Sequence, residues 1–417
     1  MANRAADVFV QIAGSNVRAG RVWAHRRGAE SATFVYDPIY LAHREAYPLD
    51  PLLPLSDGQI QTPLGRPTFG AFSDCAPDRW GRRLIERNDR RRTERAGGAE
   101  RGLGEMDFLL GVRDDLRQGA LRFADPETGV FLADERAGVP HLFELPRLLA
   151  AAEHLERGTD TIDEIRDLLV GGSSLGGARP KAHVIAPDGR IAIAKFPSPS
   201  DDWEVMRWES VALELARTSG ITVPDWQLHA LDGKAVLLVV RFDRRGPVRI
   251  GYISAMTMLE AADHEQASYL DLVEAIEEHS GSPTEDMHEL WRRIAFSILI
   301  SNTDDHLRNH GFLRSTSSGW SLSPAFDINP DPAPGPKRLT TAIAADDAAE
   351  IEALVNVAER FRLSVPEARM ILSDVSRATT TWRDVAASNG LDQAAIAEMA
   401  PAFEHAQAER ARDAATA

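Results

Sequence analysis

The sequence predicts an α+β fold in which short strands dominate the first part of the chain and helices dominate the last part. Alternating polar and apolar residues are typical of half-buried strands, and they occur at residues 7–12, 16–23 and 32–36. Apolar residues at helical spacing predict helices at residues 346–361, 365–378 and 392–412. At 417 residues the chain is long enough to fold as more than one domain.

Composition excludes several classes of protein. Hydrophobic residues make up 43% and charged residues 26% of the chain, as is usual for a globular protein. The sequence has no apolar stretch long enough to span a bilayer and no signal peptide, so we expect a cytoplasmic protein without membrane contact. The single cysteine, Cys75, excludes an internal disulfide and a zinc cluster, and we expect it to be a plain side chain in a small loop.

The net charge of −16 argues against broad affinity for nucleic acid, so any DNA contact must be local or provided by a partner. Residues 79–101 are the exception, because they carry nine arginines on a helix that is expected to begin near Pro77. Interspersed acids favour a salt-bridged, exposed helix, and they are Glu86, Asp89, Glu94 and Glu100. The alternative is a face that binds an acidic partner or DNA presented by a partner protein.

The most informative segment runs from His288 to Pro330. Its dense apolar run at residues 290–300 predicts a buried helix that holds the following loop on a rigid base. Beyond the loop, residues 311–314 and 320–324 are expected to form two strands of a short hairpin. The hairpin would bring the residues on either side of it to the same open end.

Asp304, Asn309 and Asp327 are the candidate catalytic set at this open end. The carboxylate of Asp327 and the amide oxygen of Asn309 could share one Mg²⁺, which leaves Asp304 to accept a hydroxyl proton. Protein kinases divide these tasks in the same order along the chain. The HRD and DFG sequences of those enzymes are absent, and the alternative is that these side chains only cap a helix and a turn.

Lys195 and Glu209 are a second candidate pair. Residues 189–196 have the alternating pattern of a strand, which predicts that Lys195 lies on the same face as Ile191 and Ile193. Because that face is apolar, we expect the charged amine of Lys195 to need a partner that compensates for its desolvation. Glu209 lies on the inward side of a helix predicted at residues 203–218. The kinase order of a strand lysine and a helix glutamate suggests that they pair. The alternative is a snorkelling lysine and a solvated glutamate.

Residues 169–181 form a glycine-rich loop whose backbone could approach phosphate oxygens, with charge added by Arg179 and Lys181. The alternative is a cap for the helix predicted at residues 161–169, followed by a flexible connector. Residues 234–244 begin as a buried strand and end in Arg241-Phe242-Asp243-Arg244. A strand that leads into such a polar linker is suited to binding adenine.

Together these segments resemble the HipA toxins, bacterial serine/threonine kinases of type II toxin–antitoxin modules. The resemblance rests on six segments in family order, at residues 174–181, 194–197, 208–209, 241–244, 302–309 and 325–327. It implies a two-lobed, protein-kinase-like fold with three parts. These are a β-rich N-terminal domain with the basic helix at residues 1–125, a nucleotide-binding lobe at 140–240 and a largely helical catalytic lobe at 241–417.

The resemblance also implies roles for individual residues. Asp304 is the catalytic base, Asn309 and Asp327 bind Mg²⁺, and Lys195 and His306 act at the phosphates of ATP. The remaining residues expected to bind ATP are Ser174, Gly176, Gly177, Lys181, Glu209, Arg241, Phe242 at the adenine and Asp243 at the ribose. Ser174, or its neighbour Ser173, is the expected site of inhibitory autophosphorylation. Ala178-Arg179 departs from the Ala-Gln that is frequent in the family.

We therefore expect a Mg²⁺- and ATP-dependent serine/threonine protein kinase that acts as a toxin on a translation factor such as an aminoacyl-tRNA synthetase. The implied partner is a small helix-turn-helix antitoxin like HipB, through which any DNA contact would be indirect. Two alternatives stay open. One is an ATP-dependent kinase of a small molecule, and the other is a catalytically silent nucleotide-binding subunit that acts as a co-repressor.

Overall fold

The computed structural model describes residues 4–26, 28–98, 102–133, 138–172, 177, 179–262, 265, 267–316, 319–344 and 350–416. The chain forms two compact units. Met1–Pro199 and Val239–Ile253 make up the first unit, and Ser200–Leu238 and Ser254–Ala417 make up the second. The division into three parts at residues 125, 140 and 240 stays a prediction. Within the described ranges, no helix combines the length and the apolar character that a membrane span requires.

The first unit contains an antiparallel five-stranded sheet in the order β4-β3-β2-β1-β5. Its strands are β1 (Arg4–Ile12), β2 (Ser15–His25), β3 (Ser31–Tyr36), β4 (Gln59–Gln61) and β5 (Leu121–Ala124). The strands predicted at residues 7–12, 16–23 and 32–36 are thus confirmed. Each is longer than its predicted range, because pairing along the sheet extends strands past the residues whose pattern is regular.

Aromatic side chains form the core against this sheet. Phe34 of β3 lies edge-on to Phe69 and Phe72, and Phe72 lies edge-on to Phe123 of β5. All four rings are fully buried. Cys75 lies next to this core, where burial raises the pKa of its thiol to about 12 and its Sγ contacts the carbonyl oxygen of Phe72 at 3.3 Å. It is a buried, inert side chain, as the sequence suggested.

Among the described residues of the first unit, the α-helices are α1 (Pro38–Leu41), α2 (Gly70–Asp74), α3 (Arg79–Ala96), α4 (Glu105–Gly111), α5 (Leu145–Arg157) and α6 (Ile162–Val170). The arginine-rich helix α3 begins where the sequence predicts, because Asp78 caps it by accepting from the N–H of Gly81 at 2.7 Å. It ends at Gly97, whose φ of +64° is left-handed.

The ion pairs of α3 differ from the expectation in their partners. Three short ones reach acids outside the helix: Arg82 binds Glu105 at 2.6 Å, Arg83 binds Glu156 at 2.8 Å and Arg87 binds Asp160 at 2.7 Å. Within the helix, Arg91 and Glu94 are 3.8 Å apart. The arginines therefore fasten α3 to α4 and to the α5–α6 junction, so this face of the helix is structural.

The strands β6 (Lys181–Ile185) and β7 (Ile191–Lys195) form an antiparallel hairpin in the first unit, which confirms the strand predicted at residues 189–196. The orientation of β7 corrects one expectation. Ala192 and Ala194 are buried, whereas Ile191, Ile193 and Lys195 are only half-buried. The small alanines pack inward, so Lys195 does not lie on the fully buried face.

The chain returns to the first unit at residues 239–253 through β10 (Arg244–Arg245), β11 (Val248–Arg249) and most of β12 (Gly251–Ser254). A main-chain hydrogen bond from Arg241 to the carbonyl oxygen of Ile191 holds the start of this segment at 3.0 Å. At its other end the N–H of Arg249 donates to the side-chain oxygen of Gln11. The returning segment is therefore held to two separate parts of the first unit.

The second unit is largely helical, as predicted. Its helices are α7 (Val205–Thr218), α8 (Ala255–Met258), α9 (Tyr269–His279), α10 (Pro283–Leu299), α11 (Ile351–Asn356), α12 (Val365–Thr379), α13 (Trp382–Ser388), α14 (Gln393–Phe403) and α15 (Ala406–Thr416). Its strands are β8 (Trp226–Leu231), most of β9 (Lys234–Val240), β13 (Gly311–Thr316) and β14 (Gly319–Leu322). The predicted hairpin is β13 and β14, which pair antiparallel.

Two helical predictions in the second unit need correction. The single helix expected at residues 392–412 is two helices, α14 and α15, because Glu404 leaves the helical conformation. Pro401 weakens the preceding turn, since proline has no N–H to donate. The sequence reading also missed α13. It brings Trp382 onto Phe403 of α14, with stacked rings 4.6 Å apart, so α13 is stabilised by tertiary packing.

Helix α10 lies in the core of the second unit. Trp291, Ile294 and Ile298 on it are almost fully buried, which confirms the buried helix predicted at residues 290–300. The indole N–H of Trp291 donates to the carbonyl oxygen of Leu354 at 3.2 Å and so fixes α10 to α11. The loop that follows α10 thus starts from a rigid element.

Candidate active site

The loop after α10 begins with a sharp change of direction at Ser301, whose φ of +52° is left-handed. Asn302 fixes this start from both sides. Its side-chain N–H₂ donates to the hydroxyl of Ser297 at 3.2 Å, and its side-chain oxygen accepts from the N–H of Asn329 at 3.2 Å. Asn302 therefore connects α10 and the catalytic-loop candidate to the segment that carries Asp327.

Asp304 projects from this loop with 79% of its side chain exposed. Partial desolvation of the carboxylate raises its pKa, the negative charge of Asp327 adds to the rise, and His306 opposes it. The Nε2 atom of His306 is 3.9 Å from a carboxylate oxygen of Asp304. A carboxylate with a raised pKa is a better proton acceptor while it remains ionised. Accessibility and basicity therefore both suit Asp304 to the role of a base.

Asn309 binds the same loop. Its side-chain N–H₂ donates to the main-chain oxygen of Asp304 at 2.7 Å, and its main-chain N–H donates to the carbonyl oxygen of His306 at 2.8 Å. Because the nitrogen end of the amide is engaged, the oxygen Oδ1 is the atom that could coordinate a cation. The spacing of five residues between Asp304 and Asn309 thus has a structural cause. At this spacing the side chain of Asn309 can bind the main chain of Asp304 and close the loop.

Asp327 is half-buried and has a left-handed φ of +58°, which is costly for a residue other than glycine. Its segment runs beside the loop. The hydroxyl of Thr303 donates to Asp331 at 3.3 Å, and the N–H of Asp331 donates to the carbonyl oxygen of Ser301 at 3.2 Å. The structure therefore brings Asp304, Asn309 and Asp327 into one region, close enough for Asp327 to perturb Asp304.

The donor set fits a hard divalent cation. Two carboxylates that interact repulsively and one amide oxygen are the oxygen ligands that Mg²⁺ prefers. Among the described residues, no cluster of three or more histidine, cysteine, aspartate or glutamate side chains could hold a metal by itself. A magnesium ion here would rely on Asn309 and Asp327 and take its other ligands from water and phosphate, as is usual for this ion.

Asp305 differs from Asp304 in its burial and in its hydrogen-bond partners. It is 2% exposed, and it accepts hydrogen bonds from the hydroxyl of Tyr269 and from the N–H of Thr340 at 2.7 Å. Burial raises the pKa of Asp305 to about 6, although these hydrogen bonds lower it. His310 contacts the same hydroxyl at 3.1 Å, and burial lowers its pKa to about 3. The three side chains anchor the catalytic-loop candidate in the core.

Lys195 and Glu209 belong to different units. Lys195 ends β7, directly opposite Lys181 in the β6–β7 register, and Glu209 is 2% exposed in α7. Their pairing stays a prediction. Lys181, expected at the nucleotide, is buried and donates to the Asp78 carboxylate at 2.7 Å, and its carbonyl oxygen accepts from the indole N–H of Trp80. This contact gives Lys181 a structural partner at the start of α3.

Arg241 and Asp243, also expected at the nucleotide, are buried in the first unit. Arg241 binds Asp243 with two hydrogen bonds of 2.9 and 2.6 Å, and Asp243 also accepts from Arg244 and from the N–H of Gly119. Burial by itself raises the pKa of Asp243, but the charges of Arg241 and Arg244 outweigh it and hold the pKa well below its usual value. Arg241 donates further to the carbonyl oxygen of Leu116 at 2.6 Å.

This network fastens residues 116–119 to the returning segment 239–253. The structure thus assigns both Arg241 and Asp243 a structural role, because the two oxygens of Asp243 are occupied by donors of the first unit. The predicted contact of Asp243 with ribose and the predicted place of Arg241 at the nucleotide stay predictions. Phe242 between them is half-buried, with its ring 6.4 Å from that of Tyr252, and its predicted contact with adenine also stays a prediction.

The glycine-rich loop is described only at its ends. Ser173, Ser174, Gly176 and Ala178 lie outside the described residues, and with them the predicted autophosphorylation site. Before the loop, Gly172 has a left-handed φ of +75° and lies against Leu116 and His183. Gly177 has a φ of +113°. Both glycines adopt conformations that other residues rarely do, so the chain turns at each.

Sequence reasoning missed Asn302, Tyr269 and His310. Asn302 could have been suspected from its place at the end of a buried helix, where a polar side chain needs partners. Tyr269 and His310 carry no such signal, because the hydroxyl of Tyr269 meets Asp305 and His310 only when α9 folds against the loop.

The fold is that of a HipA protein. The chain matches a chain of the Shewanella oneidensis toxin–antitoxin complex of HipA, HipB and operator DNA with a TM-score of 0.67 and 17% identity, covering 99% of both chains. It belongs to the family described as the HipA-like C-terminal domain, whose model matches residues 173–382.

Two relatives have names that refer to kinases. "Putative kinase Y4mE" of Sinorhizobium fredii is 24% identical over an alignment of 330 residues, with 71% of each chain covered. A "Putative kinase" of Haemophilus influenzae is 27% identical over an alignment of 179 residues, with 38% of this chain and 52% of that protein covered. The matched segment thus spans about half the length of the Haemophilus relative.

Proposed function

We propose that this protein is a Mg²⁺- and ATP-dependent serine/threonine protein kinase and the toxin of a toxin–antitoxin module. One observation carries the proposal. Asp304 is exposed on a loop that Asn309 closes through its amide nitrogen, and partial desolvation together with the charge of nearby Asp327 raises the pKa of Asp304. Kinases use a base and two oxygen ligands in this order.

In the proposed reaction Asp304 accepts the proton of a serine or threonine hydroxyl while that oxygen bonds to the γ-phosphorus of ATP and ADP leaves. Asn309 and Asp327 would hold Mg²⁺, which supplies positive charge to the phosphates. His306, 3.9 Å from Asp304, would donate toward a phosphate oxygen. The chain contributes positioning and charge, and it forms no covalent intermediate.

The nucleotide-binding part of the proposal rests on the family resemblance. Lys195 would bind phosphate and Glu209 would orient it, with Gly176 and Gly177 letting the backbone approach the nucleotide and Phe242 contacting adenine. Phosphorylation of Ser174 would place about two negative charges in a loop meant for phosphates and would switch the kinase off. Lys181, Arg241 and Asp243 are better explained as structural.

The partner and the substrate also follow from resemblance. The solved relative is in complex with HipB and operator DNA, which supports a small helix-turn-helix antitoxin as the partner of this chain. The family further suggests an aminoacyl-tRNA synthetase as the phosphorylated protein. DNA contact would then be made mainly by the antitoxin, in keeping with the net charge of −16.

The test is transfer of the γ-phosphate of labelled ATP to proteins of a bacterial extract, with and without Mg²⁺. We expect Asp304→Asn to reduce transfer at least about 100-fold, since general bases contribute that much or more. Asp188→Asn is the matched control, because Asp188 is an exposed carboxylate in a turn of the first unit. Transfer by Asp304→Asn at the normal rate would exclude Asp304 as the base, and no transfer by the unmodified chain would favour a silent co-repressor.

A further inference from the structure

A groove of about 600 Å³ lies where α3 and α6 meet in the first unit, and it involves none of the residues proposed for phosphoryl transfer. Arg92, Arg95 and Ala96 line it from α3, and Ile162, Arg166 and Leu169 line it from α6. We propose that this groove is a docking site for an acidic, amphipathic peptide segment of a partner protein.

The spacing of the lining residues defines two facing helix surfaces. Positions 92, 95 and 96 fall on one face of α3, and positions 162, 166 and 169 fall on one face of α6, because three or four residues make a helical turn. Ile162 and Leu169 are half-buried, whereas the three arginines are exposed. The groove therefore combines an apolar surface with cationic groups that remain accessible.

The arginines of the groove differ from the others on α3. Arg82, Arg83 and Arg87 are bound to acids elsewhere in the first unit. By contrast, the part of the chain that the structure describes offers no ion pair to Arg92 or Arg95. Arg166 is 3.5 Å from Asp163, and both side chains are largely exposed, so this pair is weak. These charges are available to a partner.

Charge and shape together favour a peptide over DNA. A chain of net charge −16 repels a long polyanion, and three arginines at one groove make too short a row to follow a phosphate backbone. An acidic helix or strand with a leucine or isoleucine would instead bury that side chain against Ile162 and Leu169 while its carboxylates bind the arginines. Bidentate binding of carboxylate suits arginine in particular.

The test uses the full chain and a fluorescein-labelled peptide of four Glu-Glu-Leu repeats, with fluorescence anisotropy as the measurement. We expect binding that weakens with salt, and we expect Arg92→Glu and Arg95→Glu each to weaken it about five-fold, as one surface ion pair is worth up to about 1 kcal/mol. Arg79→Glu is the matched control. Arg79 is an exposed arginine on the same helix, outside the groove.

A second variant distinguishes binding in the groove from non-specific electrostatic attraction. Ala96→Trp leaves every charge in place but fills the groove, so it should abolish binding if the peptide occupies the proposed site. Equal effects of Arg79→Glu and Arg95→Glu, or normal binding by Ala96→Trp, would overturn the proposal. So would tighter binding of a 20-base-pair DNA duplex than of the peptide, or binding of a Lys-Lys-Leu peptide with equal affinity.

Discussion

The hydroxyl of Tyr269 donates a hydrogen bond to the carboxylate of Asp305 in the core of the second unit. The neighbouring residue, Asp304, leaves most of its side chain in water. One of two adjacent aspartates thus holds the loop, and the other is available for chemistry. Their different surroundings make the two positions a natural pair for mutation.

Tyr269→Phe should destabilise the protein, because it removes one of the hydrogen bonds that satisfy a buried carboxylate. We expect the free energy of unfolding to fall by about 1–3 kcal/mol, measured by urea denaturation. Asp304→Asn, which changes an exposed group, should alter it by no more than about 0.5 kcal/mol. If Asp304→Asn were the more destabilising of the two, the assignment of the anchoring role to Asp305 would be wrong.

The stability difference between the native protein and Asp305→Asn should depend on pH. Burial raises the pKa of Asp305 to about 6, above the value of about 3.9 in an unfolded chain. Between pH 4 and 6 the folded state therefore binds more protons, and its stability falls as pH rises. We expect the native protein to lose about 2–3 kcal/mol relative to Asp305→Asn between pH 4 and pH 7.

His310 affects the pH dependence of stability in the opposite direction. Its pKa is lowered to about 3 by burial, so in the same range the unfolded chain binds the extra proton and stability rises with pH. Because His310 is present in both proteins, its contribution largely cancels in the comparison. A stability difference that stays constant from pH 4 to 7, measured by urea denaturation, would show that Asp305 titrates normally.

Asp243→Asn should act on stability. It removes the charge that compensates the buried Arg241 and Arg244, so we expect a loss of about 3–5 kcal/mol in the free energy of unfolding. The exposed Asp188→Asn is the control. If Asp243 contacted ribose instead, the variant would unfold normally and show a higher KM for ATP, and the two outcomes are separated by urea denaturation and initial-rate kinetics.

Gly172→Ala should be more destabilising than Gly189→Ala, although both positions have a left-handed φ, of +75° and +83°. At Gly172 an added Cβ would lie 2.6 Å from the side chain of Leu116, whereas nothing lies within 4 Å at Gly189. We expect backbone strain of about 1 kcal/mol at both and a further loss of about 1–3 kcal/mol at Gly172 from overpacking. Equal thermal stabilities would contradict this packing.

Local features of the site could be read from the sequence. Asp304 and Asn309 are five residues apart in one loop, and their contact follows from that spacing. The buried helix α10 follows from its dense apolar residues. The fold class followed because strand and helix patterns are regular and separated along the chain. In each case the sequence pattern and the structure that it predicts involve residues close together in the chain.

Contacts between residues far apart in the sequence could not be predicted from local patterns. The ion pair of Lys181 with Asp78 could not be predicted, because the two residues are 103 positions apart. The hydrogen bonds of Arg241 to Leu116 and of Asp243 to Gly119 could not be predicted either, because these partners lie more than 120 positions earlier. Spacing does not show which remote segment supplies the partner of a buried charge.

The discontinuity of the first unit has a consequence for synthesis. Val239–Ile253 completes a unit whose other part is Met1–Pro199, so a nascent chain cannot finish folding that unit until residue 253 has left the ribosome. Until then the carbonyl oxygens of Leu116 and Arg117 lack the hydrogen bonds that Arg241 donates to them in the folded protein. We expect translational pausing before this point to leave an incomplete N-terminal unit that chaperones or proteases recognise.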